Sequence, residues 1–384
     1  MNPLITPAKA EAMIRAALPE PNTERVPLNQ AIGRILLEDI RADRDLPPYP
    51  RAMMDGIAFH SSSTQPFTVQ GLHAAGDPAP APLKQNGAWE IMTGACLPSD
   101  CDTVVPYEHL SDDHQRVVED FKPGQFIHQN GSDAQAGDTL VAKGGRIGAP
   151  EVAIAASVEL VELDVICRPL IALVSSGNEA VPPEVTPEPW QIRRSNGPML
   201  ESILTHGGHP PVAHLHVPDD SEATRAAMRE VLDQADIVVL CGGISKGKKD
   251  LMRPVLEEQL GPPAFHGVSQ RPGKPFAFWA GPPMVFALPG NPVSVLATFT
   301  RYVLPTLRQL ERQPMTSPLK ACPNGISPLL EFTWLLAVDA AGEVRSVSNS
   351  GNFTALAGTV GFLEIPPSSA GPTPAYFAYF PSTY

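Results

Sequence analysis

The sequence is short of positive charge: 28 Lys and Arg stand against 41 Asp and Glu, a formal net charge of −13 over 384 residues. That balance excludes a nucleic-acid groove or an anionic membrane surface as the main partner. An anionic ligand, if there is one, must be held by local devices: glycine-rich loops, helix N-termini, a few cations or a metal. Cysteine is also scarce. The five present (Cys96, Cys101, Cys167, Cys241, Cys322) are odd in number and form no C-x-x-C pair, which excludes a disulfide framework and a zinc ribbon. Cys96 and Cys101 read as buried thiols. No run approaches the ~18 apolar residues of a membrane span, and "MNPLITPAKAEAM" has neither a basic nor an apolar leader region, so the reading is cytoplasmic. There is no internal repeat.

Proline and glycine, by contrast, are plentiful, at 44 and 30 residues. They cluster between periodic segments ("LPPYP", "DPAPAPL", "VPPEVTPEPW", "IPPSSAGPTP"), the pattern of short strands and stiff turns. The length suggests two to four domains, and the 43% hydrophobic and 18% charged content is that of a folded protein.

Thr6-Pro7 predicts a helix N-cap with proline in the first turn, followed by Ala10, Met13, Ile14 and Ala17 at helical spacing. "PLNQAIGRIL" predicts a second short helix. Residues 44–140 read as an inserted β-rich module, flanked by 1–43 and 141–167, which together form a discontinuous linker domain with a helix at "APEVAIAA". From 168 to 314 strands and helices alternate. The strands are fully apolar, as in "LIALVSS", "DIVVLC" and "MVFALPG", and "PVSVLATFTRYVLPTLRQL" forms a long last helix. This predicts a parallel α/β domain covered on both faces, with ligands beyond the strand C-termini. Residues 315–384 return to strands and prolines, a small C-terminal β domain. The fold class is therefore multidomain α/β plus β.

The chemistry gathers at the α/β strand ends. "CGGISKGKKDLMRP" (241–254) comes close to the phosphate loop G-x-x-x-x-G-K-[ST], but Lys249 stands where a hydroxyl is needed and Asp250 follows. It reads as an anion cradle with an acid, not a damaged ATP site. Glu179 ends "VSSGNE", Asp219 and Asp220 end "HVPDD", and "ALPGNP" opens the last helix. Arg271 and Lys274 lie on the stiff turn "RPGKP". Carboxylates beside an anion pocket suggest a hard cation such as magnesium. Plain readings stand beside these. Asp219 or Asp220, Ser195-Asn196 and Asn291-Pro292 are good helix caps. Glu179 fits a solvated turn, His214 and His216 fit core and rim packing, and Asp55, Thr93 and Asp133 fit β-turns.

The full set of motifs, in order, resembles the molybdopterin molybdenumtransferases of the MoeA type, related to the gephyrin E domain. It runs from "LPPYPRAMMDGIAF", "IMTGACLPSDCDTVVPYE" and "GSDAQAGDTL" through "SSGNE", "VPDD" and "GGISKGKKD" to "RPGKPFAF", "LPGNPVS" and "SGNFTALAGTVGFLEIP". The resemblance implies a molybdopterin-binding α/β domain and a C-terminal β-barrel. It implies insertion of molybdate into adenylylated molybdopterin, with Mg²⁺-dependent release of AMP. It assigns catalysis to Asp55, Glu179, Asp219 and Asp250, with Glu179 and Asp250 as metal ligands. Substrate binding falls to Thr93, Asp133, Gly242, Gly243, Ser245, Gly247, Arg271, Lys274, Pro289, Gly290, Asn291 and Pro292. A homodimer is implied, with Asp55 reaching the site in trans, and so are partners from molybdenum cofactor biosynthesis. Departures from the family pattern are Asn178 for an Asp, "HQN" (128–130) for a basic stretch, a missing Lys near Gly267 and "SGN" for "SGD". Two other functions fit parts of the pattern: a molybdopterin adenylyltransferase, and a molybdopterin-binding scaffold without catalysis.

Overall fold

The computed structural model describes residues 4–244, 251–313, 332–345, 347 and 349–367, together with the backbone of 375–378. The chain divides into two compact units, Arg25–Val165 and the remainder. No helix of the described residues is long and apolar enough to cross a membrane.

The Arg25–Val165 unit is built around a four-stranded sheet in the order Thr68–His73, Gly87–Ile91, Gly56–Phe59, Thr103–Pro106. The strand Gly56–Phe59 is buried along its whole length. Ile57 and Phe59 enter one apolar cluster with Phe67 and Val105, and Ala58 enters another with Ile91 and Val104. The period of two thus places apolar residues on both faces of the sheet. A third cluster joins Val26, Ala31, Leu36 and Val165 to the helix Ala149–Ser157. The helix expected over "PLNQAIGRIL" is only Leu28–Ala31. Gly33 turns the chain with a φ of +80°, and Ile35 and Leu36 become β-bridge partners of Arg146 and Val165 instead.

In the other unit, Thr6 caps the helix Pro7–Ala16 by accepting the Lys9 N–H at 3.2 Å, as expected from Thr-Pro. The α/β layer comprises β1 (Ile171–Ser176), α1 (Asn196–His206), β2 (Ala213–Val217), α2 (Ser221–Gln234), β3 (Ile237–Cys241), α3 (Met252–Leu260), β4 (Phe265–His266), β5 (Ala277–Trp279), β6 (Met284–Leu288) and α4 (Pro292–Thr298). The sheet order is β2-β1-β3-β6-β5-β4. Alternate residues of β1 and β3 feed opposite cores: Leu173 and Val239 pack with Leu200 and Phe286, and Val174 and Leu240 with Met228 and Val255. Two-sided burial is why these strands read as unbroken apolar runs.

The expectation of a parallel sheet needs correction at one edge. β2, β1, β3 and β6 are parallel, but β5 and β4 run antiparallel to their neighbours. Only a short glycine- and proline-rich connection separates β4 from β5, too little chain for a helical crossover. The long last helix is also interrupted: a π-helical segment, Phe299–Val303, separates α4 from Leu304–Leu310. Pro305 has no N–H to give the Arg301 carbonyl, so regular α-helical bonding cannot continue there. Arg301, buried on this segment, pairs with Glu11 at 2.8 Å and with Glu364, linking the first helix to the C-terminal sheet.

That sheet has the order Gln270–Arg271, Thr333–Asp339, Thr359–Ile365, Ala375–Ala378. Its first strand comes from the α/β segment, so the "RPGKP" turn is shared between the α/β layer and the C-terminal strands.

Candidate functional site

In an open α/β sheet the ligand crevice lies where successive connections leave one strand in opposite directions. Here β1 lies between β2 and β3, and a crevice of about 590 Å³ opens beyond the C-terminal ends of β1 and β3. It gathers Glu179, Asp219, Gly242, Gly243, Pro289, Gly290, Asn291 and Pro292 from the residues expected at the site. Asp250, Ser245 and Gly247 lie outside the described residues.

Gly242 and Gly243 adopt φ of +95° and +67°, which L side chains resist. A Cβ on Gly290 would come within 3.7 Å of the Gly242 Cα, so the two glycine loops pack backbone to backbone. The acids part roles. Asp220 is the N-cap of α2, accepting the Ala223 N–H at 2.8 Å. Asp219 instead faces the crevice and exchanges bonds with Asn178: its N–H donates to Asn178 Oδ1 at 3.1 Å, and its Oδ2 accepts the Asn178 N–H at 3.5 Å. Glu179 folds its carboxylate back over Gly177, where an added Cβ would lie 2.5 Å from Oε2. Asn291 occupies the N-cap position of α4 without making the cap bond; its Nδ2 donates to Ser350 Oγ at 2.8 Å.

Four crevice residues did not stand out as ligand groups in the sequence. Arg193 and Arg194 line the wall, each anchored by Nε to a carbonyl, of Val185 at 3.2 Å and of Ala180 at 3.0 Å. Two arginines in "QIRRSN" of so acidic a chain were a usable signal. Asn196 donates Nδ2 to the Gly290 carbonyl at 2.8 Å and keeps a buried Oδ1 without a partner among the described residues. His216 lines the crevice with both ring nitrogens bonded; burial, then the charge of Arg194, holds its pKa below the ordinary histidine value.

Arg271 and Lys274 are not in that crevice. They line an adjoining cavity of about 830 Å³ that shares Pro275, Pro289 and Asn291 with it. Arg345 is a third cation there, paired with Asp339 at 3.1 Å, and Lys274 Nζ stands 5.6 Å from the Phe332 ring centre. Gln270 and Trp334 line this cavity too; their buried donors Gln270 Nε2 and Trp334 Nε1 have no hydrogen-bond partner among the described residues, while Gln270 Oε1 accepts the Tyr302 hydroxyl. Unpaired buried donors cost about 1–3 kcal/mol each, so they favour an incoming acceptor.

In the Arg25–Val165 unit, Asp55 accepts the Thr93 N–H at 2.6 Å and its hydroxyl at 2.7 Å. These bonds, the backbone one first, hold the Asp55 carboxyl below the usual carboxylate range. Arg51 and His128 face each other on paired strands. Arg51 can only donate, so His128 Nδ1 accepts from it at 3.1 Å, and His128 Nε2 donates to Asp133 at 2.7 Å. Asp55 and Thr93 are thus bonded directly, and Asp133 hangs from a strand paired to the Arg51–Ala52 segment.

No group of three or more His, Cys, Asp or Glu is set to hold a metal among the described residues. Glu179 and Asp219 do present hard oxygen donors to the crevice, and magnesium needs only one or two carboxylates besides water and phosphate oxygens. The set fits magnesium and does not fit a closed zinc site.

Fold and pockets together define a multidomain α/β protein with a crevice at its strand ends and an adjoining cavity lined by cations. Residues 5–158 match the family described as MoeA N-terminal region (domain I and II), and 172–309 match the probable molybdopterin binding domain. A molybdopterin molybdenumtransferase of Synechocystis is 34% identical over 96% of this chain and 97% of its own length. One from Haemophilus influenzae is 32% identical over 81% and 78%. A solved molybdopterin biosynthesis MoeA protein from Pyrococcus horikosii superposes with a TM-score of 0.77 at 28% identity, covering 99% of this chain and all of that one. The chain belongs to the molybdopterin molybdenumtransferase family.

Proposed function

We propose that this chain is a molybdopterin molybdenumtransferase: it takes adenylylated molybdopterin and molybdate, inserts the metal at the dithiolene and releases AMP. The observation that carries the reading is the adjacency of two unlike pockets. One has glycine loops, two arginines and two carboxylates; the other has three cations and two spare donors. A phosphoanhydride suits the first and a tetrahedral dianion suits the second.

In this reading Arg193, Arg194 and the glycine-loop backbone hold the anhydride. Arg271, Lys274, Gln270 Nε2 and Trp334 Nε1 hold molybdate. Pro289, Asn291 and Pro275, common to both cavities, set the spacing between the reacting groups, and fixed spacing is a large part of the rate gain. Glu179, with Asp250, would hold Mg²⁺, which when bound neutralises charge on the anhydride oxygens. Asp219 and Asn196 orient the ligand; the free Asn196 Oδ1 accepts a ligand N–H or O–H. A soluble, cytoplasmic homodimer completes the proposal, with Asp55, Thr93 and Asp133 of one copy serving the crevice of the other.

The test supplies purified protein with adenylylated molybdopterin, magnesium and molybdate. Molybdate-dependent AMP release is expected. Conversion of molybdopterin and ATP to the adenylylated form would replace this reading with adenylyl transfer, and binding without either product would leave a scaffold.

A further inference from the structure

The register of β1 against β2 sets Ser175 opposite His216. His216 Nε2 lies 2.9 Å from the Gly177 carbonyl, which can only accept, so Nε2 carries the proton. In the neutral ring Nδ1 is then an acceptor, and it takes the Ser175 hydroxyl at 2.9 Å. Both nitrogens are engaged, so tautomer and ring orientation are fixed together. Burial, then the charge of Arg194, shifts the His216 pKa below the ordinary histidine value, the same direction as the neutral ring in this bonding pattern.

The Gly177 carbonyl also accepts the Ala180 N–H at 3.3 Å, the bond that closes a turn with Asn178 and Glu179 at its centre. The turn is secured elsewhere by Asn178 with Asp219 and by the Ile192 N–H on the Glu179 carbonyl at 2.8 Å. His216 grips the carbonyl of its first peptide at 2.9 Å, and the N–H of that same peptide donates to Asp219 Oδ2 at the longer distance of 3.5 Å. The Glu179 carboxylate rests over Gly177, where an added Cβ would lie 2.5 Å from Oε2, so the carboxylate lies beside the peptide that His216 holds.

We propose that His216 is a positioning residue, locked by Ser175, which holds the Gly177–Ala180 turn so that Glu179 presents its carboxylate to a divalent cation. This rests on the reading of Glu179 as a cation-holding acid. Groups that orient a metal ligand from behind typically contribute about 10–100-fold in metal affinity.

The experiment titrates Mn²⁺, as a magnesium probe, into the full-length protein by electron paramagnetic resonance, with thermal unfolding followed in parallel. His216→Leu keeps bulk and loses the donor; His216→Gln keeps an N–H near the Nε2 position; Glu179→Gln is the control. The expected result is Mn²⁺ affinity weakened about tenfold or more in His216→Leu and Glu179→Gln, and largely restored in His216→Gln. Wild-type affinity in His216→Leu beside a weakened Glu179→Gln would overturn the role of His216. Equal loss in the Leu and Gln variants would show that ring shape, not the bond to Gly177, matters, and would overturn it too. Unchanged affinity in Glu179→Gln would remove the cation reading of Glu179, and the proposal with it. Should His216→Leu not fold, Ser175→Ala frees the ring by itself: weakened Mn²⁺ binding upholds the proposal and wild-type binding overturns it.

Discussion

Replacing Gly177 by alanine separates backbone strain from displacement of a functional group. Gly177 has a φ of +126°, and its added Cβ would lie 2.5 and 2.7 Å from the two Glu179 carboxylate oxygens. The backbone strain of such a conformation costs roughly 1–3 kcal/mol for a residue with a Cβ. For a unit of this size, ~2 kcal/mol lowers the unfolding midpoint by about 4–8 °C. The clash itself adds little to that, because the carboxylate is the far end of a flexible chain and swings aside. The swing is what matters for function, since misplacing a reacting or ligating group by ~1 Å costs on the order of 100-fold in rate. Gly281 supplies the matched control: its φ is +136°, and an added Cβ meets nothing within 4 Å. Gly177→Ala and Gly281→Ala should therefore lose comparable thermal stability, while only the first loses molybdate-dependent AMP release. Differential scanning fluorimetry and an AMP-release assay read the two quantities. Full turnover in Gly177→Ala, or equal loss in both variants, would refute the link between this turn and the chemistry.

In the other unit, Thr93→Val removes the hydroxyl bond to Asp55 and leaves the backbone bond. The depressed Asp55 pKa should move up toward about 3.9, the usual carboxylate value. A depressed folded pKa gives stability that is present above the unfolded value and lost as pH falls through the folded one, so the variant loses this contribution at a higher pH than the parent. An NMR titration of the Asp55 carboxyl checks this, and an unshifted midpoint contradicts it. A shared site in a homodimer predicts complementation. Asp55→Ala and Asp219→Ala proteins, each inactive in AMP release, should regain about a quarter of the activity per mixed population once subunits have exchanged, because half the dimers are mixed and each holds one intact site. No recovery after demonstrated exchange would place both acids in one subunit's site.

The α/β layer was legible because its central strands are buried on both faces and therefore apolar without a break. The cap at Thr6 was legible because a short side chain before Pro7 satisfies an orphan helix N–H, and a cap within "VPDD" was legible for the same reason. The antiparallel edge was not, since β4 and β5 are only two and three residues long and carry no period. Of the two acids in "VPDD", pattern alone could not say which caps the helix and which faces the crevice; that depends on one peptide's orientation. His216 was read as core and rim packing because alternation fixes a face, not a position along it. Its place at the crevice follows from where β1 ends, and so from tertiary register. Arg271 and Lys274 were grouped with the strand ends by nearness in sequence, whereas Gln270–Arg271 joins the C-terminal sheet and carries both cations into a separate cavity.

In an acidic chain a cation adds most to an anion site when no carboxylate neutralises it. Arg193 and Arg194 are oriented by carbonyl oxygens, and neither has a salt bridge among the described residues. A carboxylate anchor would hold a guanidinium as firmly but would cancel the charge the ligand is to meet; a carbonyl fixes the geometry and leaves the charge intact. Arg225 and Arg253, which do not line the crevice, are paired with Glu258 and Glu257. The contrast matters because the repulsion of exposed acids is screened beyond about 8 Å at physiological ionic strength, whereas a cation in contact with the ligand inside a crevice is screened far less. The net charge of −13 therefore disfavours loose binding of polyanions over the surface, while Arg193 and Arg194 keep their charge available inside the crevice they line.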